Sequence, residues 1–273
     1  MSDKMQCAPD KASTYGEIQY ERNTTELIDE IKAIDEKLKV DPRQSDLWIE
    51  KGILLRKKQL LCREGVESQS MALTYDPFNP LLYRYRGHYC INIGRYAEGA
   101  ADLELSLRLD PGNWDTWYHS GLAYYLLKDY ERARKAYEGC LERTKPEDHE
   151  HLAAVLDWYW LTLMHLGEDE LAVKALEVID PSWEDVSENF QYFNRLLVYK
   201  GVLSADEVVK DAETRGDLDY ATETYGISYW YELKGEKEKA KKILDEIERR
   251  SFDSWNCFAV RAAEVRLADW KDE

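Results

Sequence analysis

The chain has 273 residues, with 54 acidic against 37 basic side chains and a formal net charge of −17. That balance argues against nucleic acid as a partner, because phosphate binding needs a positive surface. No run of 18 apolar residues occurs, which excludes a membrane-spanning helix, and the five cysteines include no C-x-x-C pair, which points to buried thiols in a reducing compartment.

Residues 1–20 are polar and carry no helical stripe, so the sequence predicts a flexible tail there. The opening MSDKMQCAPD lacks the apolar core of a secretory leader, and a cytoplasmic location is expected. The stretch TTELIDEIKAIDEKLKVDP spaces Leu27, Ile31, Ile34 and Leu38 along one helical face and reads as a packing helix.

Beyond it, five of the seven prolines fall at Pro42, Pro77, Pro111, Pro146 and Pro181, spaced by 35, 34, 35 and 35 residues. Proline stops a helix, so a fixed interval of this length marks a repeat of helices. The residues between them repeat too. With Pro80 as position 1, Gly87 falls at 8, Gly94 at 15, Tyr96 at 17, Gly99 at 20, Leu103 at 24, Ser106 at 27 and Pro111 at 32. The unit from Trp114 places Trp117 at 4, Gly121 at 8, Tyr124 at 11, Tyr130 at 17, Ala133 at 20, Tyr137 at 24 and Cys140 at 27. Small residues at 8 and 20 let two helices approach, and bulky ones at 4, 11 and 24 fill the space between them.

This pattern resembles the tetratricopeptide repeat family. The resemblance implies an all-α, right-handed superhelix, here of about six helix pairs with terminal helices, in a single body from 21 to 273. An earlier unit starts near Ser45, with Trp48 and Gly52 at 4 and 8 and one extra residue in the turn around Gln59 to Arg63. The unit from 147 to 181 keeps Gly167 and Ala172, but its turn comes about four residues late, so its first helix gains a turn and its second loses one. Past Pro181 the prolines stop, yet helix pairs continue around Gly201 with a cap at Ser204, and around Gly235 and Ala240. SWNCFAVRAAEVRLADW reads as the closing helix. The layout of residues 45 to 268 also resembles NlpI, a dimeric bacterial lipoprotein adaptor, which leaves a homodimer open.

The charge is uneven: residues 1–148 hold 26 acidic and 22 basic side chains, and residues 149–273 hold 28 and 15. Enzyme motifs for phosphate cradling, acyl transfer or metalloprotease chemistry are missing. His149 and His151 sit in an HEH triplet whose side chains diverge around a helix, so no metal site is expected. No cofactor and no catalytic residue is expected.

In the resembled family the first helix of each pair lines a concave groove through positions 2, 5, 9, 12 and 13. Carried over, these positions make Arg84, His88, Asn92, Tyr118, Leu122, Tyr125, Tyr225 and Tyr229 the expected contacts of a partner protein or peptide. The opposing expectation is that a tight superhelix buries these tyrosines against one another. The carboxylate clamp of chaperone adaptors is absent, because its positions hold Ile49, Ile53, Tyr85, Asp115 and His119. The sequence thus implies a non-catalytic interaction scaffold. Two alternatives stand beside it: an NlpI-like adaptor for enzymes, and a small-ligand or enzymatic protein with an aromatic pocket around Trp158 and Trp160.

Overall fold

The computed structural model describes residues 26–252 and 254–271; the tail expected over residues 1–20 lies outside them. The described residues form fourteen α-helices and no strand. They are α1 (Asp29–Val40), α2 (Ser45–Gln59), α3 (Cys62–Leu73), α4 (Pro80–Asn92), α5 (Tyr96–Leu109), α6 (Trp114–Leu126) and α7 (Tyr130–Leu141), followed by α8 (His149–Leu166), α9 (Asp169–Leu176), α10 (Phe190–Tyr199), α11 (Ala205–Ala212), α12 (Asp217–Leu233), α13 (Lys237–Arg250) and α14 (Phe258–Lys271). The described residues divide into two compact units, unit 1 up to Thr116 and unit 2 from Trp117 on.

A second periodicity underlies the proline spacing. Six residues with left-handed backbone close the first helix of each pair: Leu60, Gly94, Lys128, Gly167, Gly201 and Gly235. Successive intervals are 34 residues, except for 39 between Lys128 and Gly167. After five of them, the next N–H donates to the carbonyl five residues back, as in Arg95 to Cys90 at 2.8 Å and Val202 to Leu197 at 2.8 Å. This bond satisfies a carbonyl that the helix end would leave unpaired. At Leu60 the bond runs from Leu61 to Leu55, one residue wider, which is the extra turn residue read from the sequence. The long interval is the late turn: α8 has 18 residues and α9 only 8.

Helix starts follow their capping residues. The Asn79 side chain accepts from Leu81 N–H ahead of Pro80, Asp129 accepts from Arg132, Asp148 from His151 and Ser204 from Glu207. The start of α10 is served from a distance. The Glu150 carboxylate accepts from the N–H groups of Ser187, Glu188 and Asn189.

In unit 1, α2 packs on α3, α3 on α4 and α4 on α5. The small residues work as the repeat requires: a β-carbon on Gly87 would lie 2.9 Å from the Gly99 carbonyl, and one on Gly65 2.9 Å from the Tyr89 ring. The expected packing helix α1 buries Ile31, Ile34 and Leu38, and Ile31 joins Leu55 and Leu61 in one cluster. In unit 2, α8 packs on α10 and α10 on α12, and α14 packs on both α12 and α13.

Candidate functional site

In unit 1 the first-helix positions sit on α2 and α4. Arg84 is 8% exposed, donates to the Asp115 carboxylate, and lies 4.6 Å over the Tyr85 ring. Burial pulls its value down, Tyr85 and Tyr89 hold it up, and the neighbouring charge of Arg56 pulls it down again. Arg56 lies 5.7 Å from the Tyr89 ring, and no described carboxylate pairs with it. His88 is tilted against Tyr89 at 5.7 Å, and Asn92 is buried one turn beyond. Arg86, two residues from Arg84, is matched instead: its Nε and Nη2 both donate to Asp102 at 2.7 Å.

In unit 2 the corresponding positions feed an aromatic cluster. The Tyr125 hydroxyl lies 2.9 Å from the Tyr225 hydroxyl and 3.2 Å from His165 Nε2, while Tyr229 meets His165 Nδ1 at 3.2 Å. The imidazole is sandwiched between Tyr130 at 4.3 Å and Tyr229 at 4.2 Å. Burial pushes His165 down to about 3, and Arg266 adds to that. A neutral ring has one N–H and one lone pair, so it donates to one tyrosine and accepts from the other. Arg266 of α14 lies 5.1 Å from the Tyr229 ring, donates to Ser228 Oγ at 2.7 Å and pairs with Glu232.

Deeper in unit 2, Asp157 and Arg195 form an ion pair at 2.7 Å with both side chains fully buried. Burial raises Asp157 to about 7, against the pull of Arg195 and Tyr199. The guanidinium lies 5.5 Å from Trp158 and 5.8 Å from Tyr225, and Trp160 stacks on Tyr199 at 3.8 Å. A cavity of about 80 Å³ opens beside the tyrosine cluster, lined also by Glu232, Arg266, Asp269 and Trp270. Sites for drug-sized ligands measure roughly 300–1,000 Å³, several times this volume.

All eight expected contacts are buried: Arg84, His88 and Asn92 in unit 1, and Tyr118, Leu122, Tyr125, Tyr225 and Tyr229 in unit 2. Burial of this degree departs from the expected open groove in both units; in unit 2 it comes from the tyrosines. Their hydroxyls and rings are used against one another, and Tyr118 lies edge-on to Tyr137 at 6.4 Å. The structure brings Tyr125, Tyr225 and Tyr229 to one cavity, and adds His165 and Arg266, which the sequence reading had not selected. It also adds Arg56, at position 12 of the first unit, where the family pattern could have found it. The HEH triplet is engaged as helix-start chemistry: His149 meets Asp185 and stacks on Trp183 at 4.0 Å, and His151 meets Asp148. Among the described residues no group of side chains is placed to hold a metal, and no helix is long and apolar enough to cross a membrane.

These helix pairs, their left-handed junctions and their small-residue contacts define the tetratricopeptide class of all-α repeat proteins. Residues 115–146 match the family model of the tetratricopeptide repeat, and the chain carries this repeat and its fold. A tetratricopeptide repeat protein from Parabacteroides merdae superposes with a TM-score of 0.57 at 15% identity, over 87% of this chain and 91% of that one, a likeness of fold. Among curated proteins, the heat-shock protein cognate co-chaperone sgt12 of Aspergillus fumigatus is 30% identical over 79 residues, 29% of this chain and 23% of its own. RNA polymerase II-associated protein 3 of Mus musculus is 27% identical over 124 residues, 45% of this chain and 18% of its own. The chain thus spans less than a quarter of either curated relative. Proteins built of this repeat generally serve as non-catalytic scaffolds for other proteins.

Proposed function

We propose that the protein is a non-catalytic adaptor that holds a partner protein or peptide on the first-helix face of unit 1. Arg84, His88 and Asn92 are contacts on this reading, with Ile49, Ile53 and Arg56 at positions 5, 9 and 12 of the unit that α2 opens. Tyr118, Leu122, Tyr125, Tyr225 and Tyr229 instead hold unit 2 together. The observation that carries the reading is the pairing of tetratricopeptide helix hairpins with a unit 2 cavity of only about 80 Å³, which favours a surface binder over a pocket binder. The printed names of the two curated relatives, a co-chaperone and a polymerase-associated protein, are consistent with work alongside other proteins.

Site-specific photocrosslinking in the native lysate tests this. A crosslinking residue at Ile49 or Ile53 is expected to give discrete protein adducts, and one at Leu105, exposed on α5, is not. Adducts only from Leu105, or no protein adduct from Ile49 and Ile53, would sink the proposal.

A further inference from the structure

The cavity of unit 2 is the feature that the adaptor reading leaves unused. It lies where four helices converge, and Tyr125 of α6, His165 of α8, Tyr229 of α12 and Arg266 of α14 all line it. The hydrogen bonds around it do not close on themselves. Three tyrosine hydroxyls and one neutral imidazole carry four protons between them. They make three contacts with one another: Tyr225 to Tyr125, Tyr125 to His165 and His165 to Tyr229. Each contact uses one proton, so one is left over. The Arg266 guanidinium donates toward the Tyr225 oxygen, which turns the Tyr225 proton to Tyr125, that of Tyr125 to His165 Nε2, and Nδ1–H to Tyr229. The proton left over is then that of the Tyr229 hydroxyl, on the cavity wall.

The charges, by contrast, do close. Lys128 pairs with Asp269 and Arg266 with Glu232, and burial keeps His165 neutral. Tyr125, Tyr225, Tyr229 and Arg266 are each less than a tenth exposed, and a charged ligand would bring an unmatched charge among them. An uncharged ligand meets no such cost. It finds a donor in Tyr229 and acceptors in Glu232 and Asp269, whose carboxylates keep lone pairs beyond their ion pairs. The rings of Tyr130 and Trp270 give the cavity flat walls. Its volume of about 80 Å³ is roughly half of the ~150 Å³ at which an apolar cavity takes benzene, which limits a ligand to about four heavy atoms.

We propose that this cavity binds a small uncharged carboxamide. The amide is planar and neutral, and it carries an acceptor and donors at opposite ends of a group of the right size. Its carbonyl accepts from the Tyr229 hydroxyl, and its N–H groups donate to Glu232 or Asp269. The side chains of Lys128 and Asp269 are 43% and 50% exposed, which puts the way in between the α6–α7 junction and the end of α14. A free small amide and the side-chain amide of asparagine or glutamine present the same group. The inference is independent of the first-helix face of unit 1.

The test follows the ring nitrogens of His165 by NMR in the full chain labelled at histidine, with the resonances assigned by their loss in His165→Gln. The probes are acetamide, acetate, methylammonium and acetone, which separate the neutral amide from either charge and from an acceptor alone. Acetamide is expected to give saturable shifts at millimolar concentration, and the other three to bind at least tenfold more weakly. Tyr229→Phe is expected to weaken acetamide about tenfold, the worth of one hydrogen bond. Glu232→Gln leaves the Arg266 charge unbalanced, so acetate is expected to bind that variant, a gain that structural damage does not produce. Tripeptides with acetyl and methylamide ends and a central glutamine, asparagine or alanine distinguish the sources. Tighter binding of the glutamine or asparagine peptide than of acetamide points to a partner's side chain, and the reverse order points to a free amide; either supports the site. No saturable shift with any amide would mean a cavity for water only and would overturn the proposal. So would acetate or acetone binding as well as acetamide in the wild type, or a Glu232→Gln variant that gains no affinity for acetate.

Discussion

The two units put the same repeat positions to different uses. In unit 2 the charged side chains that reach the interior meet partners: Arg195 meets Asp157, and Arg266 meets Glu232 and Ser228. Its tyrosine hydroxyls close a circuit through His165. In unit 1 Arg84 meets Asp115 and Arg86 meets Asp102. A buried polar group must find its partner within the fold or outside it. Both units also keep shielded polar atoms without a hydrogen-bond partner, Trp158 Nε1 and Arg261 Nε in unit 2 and Arg56 Nε and Gln69 Oε1 in unit 1.

The largest expected effect is the loss of the buried ion pair in unit 2. Arg195→Met strands a fully buried Asp157, and removing one partner of such a pair typically costs about 3–5 kcal/mol. Adding Asp157→Leu to that variant should recover much of the loss, measured by urea midpoints. In unit 1, Arg56→Gln should leave the midpoint within about 0.5 kcal/mol of wild type, as for a surface change that breaks no internal pair. A large loss there would erase the contrast between the units.

Close packing comes next. Gly226→Ala drives a β-carbon into the Tyr199 hydroxyl and the Arg195 guanidinium, and Gly87→Ala sets one 2.9 Å from the Gly99 carbonyl. Overpacking of this kind costs about 1–3 kcal/mol, so both thermal midpoints should fall. Gly226→Ala alone should also disturb the near-ultraviolet circular dichroism of the surrounding aromatic residues.

The pH dependence sharpens the comparison further. His165 is depressed to about 3 from its ordinary 6.5 by burial and by Arg266, with Lys128 adding to the effect and Asp269 opposing it. The unfolded chain therefore binds a proton between these values that the folded chain refuses. The resulting stability is present above about pH 6.5 and is lost as pH falls toward 3, by up to about 1.4 kcal/mol per pH unit. Asp157, raised to about 7 by burial, works in the opposite sense between about pH 4 and 7. The difference between wild type and His165→Gln across that range isolates the histidine, and a flat difference would contradict its buried neutral state.

The smallest effect concerns the junctions. Leu60 and Lys128 hold left-handed backbone that the other four junctions assign to glycine. Leu60→Gly removes the β-carbon strain and should raise the thermal midpoint by the equivalent of about 0.5–1 kcal/mol, while Gly94→Ala should lower it by a similar amount.

The helix pairs were legible because proline and small residues act locally. Pro77 and Pro111 end helices wherever they stand, and Gly87 and Gly99 report a close crossing between consecutive helices. The stretched α8 was legible from the late Gly167. The junctions at Leu60 and Lys128 were less so, because the surrounding hydrogen bonds, not the residue type, hold them left-handed. The site was harder to read. Whether Tyr125 faces a partner or another tyrosine depends on helices a hundred residues apart in the chain, as its bond to Tyr225 shows. His165 and Arg266 carried no local signal for the same reason. Asp157 and Arg195, on different helices, look like ordinary surface charges until α8 and α10 are brought together.

The even spacing of the left-handed junctions has a consequence for how such a chain can change length. Excising residues 61–94, or inserting a second copy of them, rejoins one left-handed junction to the start of the next second helix. The 34-residue step from Leu60 through Gly94 to Lys128 thus defines interchangeable cassettes, each carrying its own first-helix face. The 39-residue step across α8 breaks that modularity, which resumes with the 34-residue steps from Gly167 to Gly201 and Gly235.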